Sequence, residues 1–158
     1  MKKDLTPELF LKSLVKSKVG FILTGGYAVN FHGYNRSTSD MDIWIKPTED
    51  NKKLLLDAMI DCGFSQEELI PLDSLDFTKP FSFAIALEPI SMDVFNSISG
   101  VEFEMAEKNM IPFEFAKGLM VNFLSLTDLM LNKLVSGRPI DKADVQVLQE
   151  ISRNKKKN

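Results

Sequence analysis

Asp40 and Asp42 stand two apart in the run DMDIWI, alternating with Met41, Ile43 and Ile45. That alternation is the pattern of a strand, in which side chains two apart point to the same face. Two carboxylates on one face repel each other, and a partly buried pair needs cations or hydrogen-bond donors nearby. The plain structural reading is a strand face turned to water; the chemical reading is ligation of a hard divalent cation. With 12 aspartates in 158 residues, about one Asp-x-Asp pair arises by chance, so spacing alone does not choose. Asp93 shifts the balance, because in ISMDVF it interrupts a second apolar run between Met92 and Val94. If the two strands are neighbours, the three carboxylates make an all-oxygen set suited to Mg2+, with Mn2+ as a substitute. One pair then bridges two metals about 3.5–4 Å apart, and the third completes the coordination of the second metal.

Ahead of these aspartates, GFILTGG reads as a short buried strand from Phe21 to Thr24, stopped by Gly25 and Gly26. YAVNFHG then reads as a short helix ending at Gly33. A strand that runs through glycines into a helix places free backbone N–H groups where an anion can meet them; the alternative is an ordinary strand-to-helix turn. The segment is not a P-loop, since no G-x-x-x-x-G-K-[ST] occurs, and no G-x-G-x-x-G follows a strand.

The elements that must position these residues follow from periodicity and caps. Thr6-Pro7 predicts a helix start, with Leu9, Phe10, Leu14 and Val15 on one stripe as far as Lys18. MDIWIK is the second strand, ended by Pro47. Thr48 or a neighbour caps a helix from about Glu49 to Cys62 that turns Leu54, Leu55, Ala58 and Met59 inward and stops at Gly63. No periodicity assigns 65–80. Phe81–Leu87 and Ile90–Phe95 read as a hairpin around Glu88-Pro89, Phe103–Asn109 as a short helix, and Ile111–Ala116 with Met120–Leu124 as a further hairpin. Ser125, with Asp128 three residues on, caps a helix to Ser136. Asp141 caps a last helix carrying Val145, Leu148 and Ile151 on one face, and the RNKKKN run beyond it reads as a solvated basic tail. The pattern gives one domain, 1–158, of the α+β (α/β) class, with a mixed sheet of about four to six strands flanked by helices.

Composition narrows the partners. Hydrophobic residues make up 44% and charged residues 26%, as in a globular chain with a core. No apolar run approaches the roughly 18–20 residues of a membrane span, and MKKDLTPELF lacks the apolar stretch of a secretion signal. Cys62 is the single cysteine, so no internal disulfide or cysteine-based zinc cluster forms; the expected compartment is the cytoplasm. The net charge of −3 lacks the basic face that duplex DNA requires.

The ordered set GGYAVNFHGYNRSTSDMDIWI followed by ISMDVF resembles the nucleotidyltransferase superfamily, the fold shared by polymerase β and many small bacterial transferases. That pattern is a Gly-Gly or Gly-Ser turn, then Asp-x-Asp on the next strand, then a third acidic residue on a later one. More narrowly the chain resembles the compact bacterial group of nucleotidyltransferase or AbiEii-toxin-like proteins. NKLVSGRPIDKADVQVL is similar to that group's closing stretch, with Arg138, Asp141 and Asp144 in the matching places and Ile140 where lysine is common. The resemblance spans Gly20 to Leu148 and is weakest over 65–80.

The resemblance implies transfer of a nucleoside monophosphate from an NTP, ATP by prior expectation, to an acceptor hydroxyl or phosphate with release of pyrophosphate. Asp40, Asp42 and Asp93 would be the catalytic metal ligands, and Gly25 and Gly26 would let the backbone approach the phosphates. Arg36 either contacts phosphate or pairs with a carboxylate; Thr38 and Ser39 either donate to phosphate or cap the loop. His32, the one histidine, either packs the helix against the loop or meets substrate. Lys133 either reaches the nucleotide or is solvated, and Arg138, Asp141 and Asp144 read as a cap and a surface charge cluster. The acceptor is open among a small molecule, a protein and tRNA, and a homo-oligomer is compatible with the apolar content. The alternative reading is a non-catalytic nucleotide-binding or regulatory module of toxin–antitoxin type on the same fold.

Overall fold

The computed structural model describes residues 4–157. Chain order within them is α1 (Pro7–Lys16), β1 (Phe21–Thr24), α2 (Gly25–Phe31), β2 (Asp40–Ile45), α3 (Glu49–Asp61), α4 (Ile70–Asp73), β3 (Ser82–Ile85), β4 (Ser91–Phe95), α5 (Phe103–Asn109), β5 (Ile111–Ala116), β6 (Leu119–Phe123), α6 (Leu126–Ser136) and α7 (Pro139–Lys157). The fold is α+β, with helices flanking one six-stranded mixed sheet in the order β3-β4-β2-β1-β6-β5. Both expected hairpins form, β3 with β4 and β5 with β6. Two pairings are parallel, β2 with β4 and β1 with β6.

The register decides what the sheet can do. Asp40 pairs with Ser91, Met41 with Met92, Asp42 with Asp93 and Ile43 with Val94, so two near-identical strands, DMDI and SMDV, lie side by side in step. On the antiparallel side Thr24 stands opposite Asp42, and Leu23 opposite Ile43. Met41, Ile43, Ile45, Met92 and Val94 are buried on one face. Phe83 and Ile85 of β3 line a cavity on that face together with Met59 of α3. The opposite face carries Asp40, Asp42, Ser91, Asp93 and Thr24, and α6 stands over it. Trp44 also belongs to this carboxylate face, where it is 1% exposed and meets Phe103 of α5 edge-on at 5.0 Å.

Several boundaries differ from the sequence reading for identifiable reasons. Gly25 and Gly26 are the first residues of α2 rather than a stop before it. In α1 the buried stripe is Phe10, Leu11 and Leu14, rotated away from Leu9 and Val15; Ser13 joins it because its hydroxyl donates to Asp61 of α3 at 2.8 Å. The unassigned stretch 65–80 holds only the four-residue α4. The last helix starts at Pro139, not at Asp141: proline takes the first helical position, and Asp141 reaches back to accept the Arg138 N–H at 3.2 Å. It continues to Lys157, so Arg153–Lys157 is helix rather than a separate tail. No helix among the described residues is long and apolar enough to cross a membrane.

Candidate functional site

A cleft of about 560 Å³ opens on the carboxylate face. Thr24, Gly25 and Asp42 form its floor, Lys133, Ser136 and Arg138 one wall, and Phe81, Phe95 and the 97–99 loop the other. The register brings Asp93 alongside Asp42, and Asp40 lies two residues along on the same face. Charge accumulates accordingly. Burial, then Asp93 and Asp40, push the Asp42 carboxyl up to about 6, against the pull of Lys133 and Arg138. Asp93 is also raised, by burial and by Asp40. Asp40 is held differently: its carboxylate accepts from the Ser91 hydroxyl at 2.7 Å and the Ser39 hydroxyl at 3.3 Å.

These features fit a hard divalent cation in donor chemistry, since all three groups are carboxylates and Asp42 and Asp93 carry a shared repulsion that a cation would relieve. As placed, the side chains do not converge: among the described residues no three acidic, histidine or cysteine groups are gathered to hold a metal. Both oxygens of Asp40 are instead engaged by serines.

The glycine pair has a packing explanation. Gly25 adopts φ +61°, and a Cβ there would overlap Asp42 Oδ2. A Cβ on Gly26 would come within 2.5 Å of Thr38 Oγ1. The two glycines thus admit Asp42 and Thr38 to the start of α2. Thr38 takes the loop role rather than facing the cleft, donating to the Asp40 carbonyl at 3.0 Å.

The basic residues form one network. Arg36 donates to both oxygens of Asp144, at 3.0 Å each. Lys133 bridges the two aspartates, 2.9 Å from Asp144 and 3.2 Å from Asp141. Arg138 donates to Asp141 at 2.8 and 3.2 Å. Lys133 is 4% exposed, and Asp141 and Asp144 no more than 1%, which corrects two expectations. Lys133 is not solvated, and Asp141 with Asp144 is not a surface cluster. Burial tends to raise Asp141, but hydrogen bonds from Arg138, Ser136 and Lys133 outweigh it and hold the carboxyl well below the usual range. Buried charges persist only when paired in this way. Of the three cations on these two carboxylates, Lys133 and the largely exposed Arg138 line the cleft. Arg36 spends its planar fork on Asp144, so of its two expected roles the carboxylate partnership is the one formed.

His32 likewise has a structural role. Its Nε2 donates to the Leu124 carbonyl at 2.7 Å, tying the end of α2 to the end of β6. Burial, with a smaller effect from Lys155, holds it below its ordinary value and so in the neutral form. Thr24, Phe95, Asn132 and the 97–99 serines were missed as cleft residues. For Ser91 a signal was present: SMDV echoes DMDI, and aligning the two runs sets Ser91 beside Asp40.

No family model matches the chain, and a search of curated proteins finds no match.

Proposed function

We propose that the protein is a metal-dependent nucleotidyltransferase, moving a nucleoside monophosphate from an NTP to an acceptor hydroxyl or phosphate. The observation that carries this reading is the in-step parallel pairing of β2 and β4, which sets Asp93 next to Asp42, the carboxylate that lines a cleft with a cationic wall. Carboxylates opposed to cations across a cleft suit a substrate that is both a polyanion and a metal chelate, as a nucleoside triphosphate is. A bound Mg2+ would supply charge neutralisation of the phosphates and activation of the attacking hydroxyl.

Asp42, Asp93 and Asp40 would hold the metal, with Asp40 exchanging its serine contacts for it. Lys133 has three N–H donors, of which one is given to Asp141, while Asp144 pairs with its charge at 2.9 Å. Its position, fixed by those aspartates, is suited to meeting phosphate oxygens without reorganisation, the condition under which electrostatic stabilisation works best. Arg138 offers a largely exposed guanidinium at the rim, held by Asp141. The half-buried Phe81 and Phe95 give the opposite wall an apolar surface for the rest of the substrate.

The test is incubation with each α-labelled NTP, Mg2+ and a cell extract, followed by identification of the species that acquires label. Label transfer with pyrophosphate release, lost in Asp42→Asn and Asp93→Asn, is the expected result. Retention of wild-type transfer in Asp42→Asn would overturn the assignment, and nucleotide binding without transfer would favour a regulatory module.

A further inference from the structure

The most buried residue lining the cleft is Thr24, which is 2% exposed and whose Oγ1 has no hydrogen-bond partner. A buried hydroxyl without a partner carries a desolvation cost that a fold rarely leaves standing. Among the described residues two other buried side-chain atoms share the condition, Trp44 Nε1 and Asp128 Oδ2, and neither residue lines the cleft. Thr24 does. It stands directly across from Asp42 in the antiparallel β1–β2 pair, a relation that puts Cβ atoms about 4.5–5.5 Å apart on the same face. Asp42 does not satisfy it, because that carboxylate lies over Gly25, in the space a side chain there would take. Thr24 thus faces Asp42 across the strand pair, lines the cleft and keeps a buried hydroxyl with no partner.

Resting on the nucleotidyltransferase reading, we propose that Thr24 is a substrate-contact residue whose hydroxyl donates to an oxygen of the bound phosphate chain. The ligand class that fits is a phosphate oxygen chelated with a divalent cation. Such an oxygen is an acceptor only, which suits a hydroxyl donor next to a metal-holding carboxylate. A role through Asp42 instead would make Thr24 a positioning residue, and the two roles separate experimentally. In the first, the phosphate ligand is affected and the metal alone is not.

Thr24→Val keeps the shape and removes the hydroxyl; Thr24→Ser keeps the hydroxyl. Calorimetry with Mg2+ alone, and with inorganic pyrophosphate in saturating Mg2+, reads the two roles on the intact chain. For Thr24→Val the expected result is pyrophosphate binding weakened about tenfold or more, with Mg2+ affinity unchanged. The ligand-free melting temperature should rise by about 2–4 °C as the unpaired buried hydroxyl is removed. Thr24→Ser should bind within about threefold of wild type. Wild-type affinity in Thr24→Val would overturn the assignment while leaving the parent reading intact. Loss of Mg2+ binding in Thr24→Val would overturn it in favour of positioning, as would a lowered melting temperature, which marks the hydroxyl as already partnered. A wild-type protein that takes up neither ligand would overturn the parent reading and the assignment together.

Discussion

Asp42 is more costly to ionise in this fold than in an open chain, and the sign of that cost makes a prediction. Its folded value of about 6 lies above its ordinary 3.8. Ionisation therefore costs folding free energy from about pH 4 upward, and the full cost is reached above pH 6. Asp42→Asn removes the charge while keeping the shape. The variant should melt with wild type at pH 4 and gain on it to about 1–2 kcal/mol by pH 8, the figure reduced for the side open to solvent. Thermal melts across pH 4–8 without metal check this; a constant offset would mean that packing, not charge, separates the two proteins. The same carboxylate dictates its neighbour. Gly25→Ala should cost about 2 kcal/mol, from a positive φ and from overlap with Asp42. In an Asp42→Ala background only the backbone part should remain, at about 1 kcal/mol, and a double-mutant cycle by urea unfolding measures the difference. The glycines were legible in sequence as a turn. What they make room for was not, because the Asp42 contact spans the chain between adjacent strands.

At the scale of elements, legibility followed the range over which the physics acts. Helix caps at Thr6, Thr48 and Ser125 and the two hairpins depend on residues a few positions apart, and all formed as the pattern predicts. The α1 stripe was misplaced because Ser13, a poor core residue by type, is buried through its bond to Asp61 on another helix. The basic network was misread for the same reason on a larger scale: Arg36 and Asp144 lie 108 positions apart, so no local period reveals that the loop before β2 is clamped to α7. That clamp predicts unequal costs. Asp144→Asn leaves Arg36 and the buried Lys133 facing an amide and should destabilise by about 3 kcal/mol. Arg138→Ala, with a side chain 68% exposed, should cost about 1 kcal/mol or less and act instead on the affinity for pyrophosphate. Urea unfolding of both variants, with pyrophosphate titration of the second, distinguishes a stabilising clamp from a ligand wall.

Across the whole molecule, the cleft is assembled from segments far apart in the chain: the β1–α2 turn, β2, the β3–β4 hairpin, and α6 with its exit to α7. A ligand that bridges them should therefore stabilise the entire fold rather than one loop. By mass action, MgATP at 100 times its dissociation constant would add about 2.7 kcal/mol, which in a chain of this size raises the melting temperature by about 5–11 °C. Because the carboxylates must be ionised to take metal, the shift should be larger at pH 8 than at pH 5, where Asp42 is largely protonated. On the proposed reading Asp93→Asn should abolish it, since the missing charge would belong to the metal set and not to the core. Hydrogen exchange adds the spatial part: with MgATP bound, protection should increase together at 24–26, 97–99 and 132–138. Protection confined to one of these segments would mean that the ligand sits at the rim and the cleft floor has another use. Coordinated protection would join the strand register, the cationic wall and the buried threonine into one binding surface.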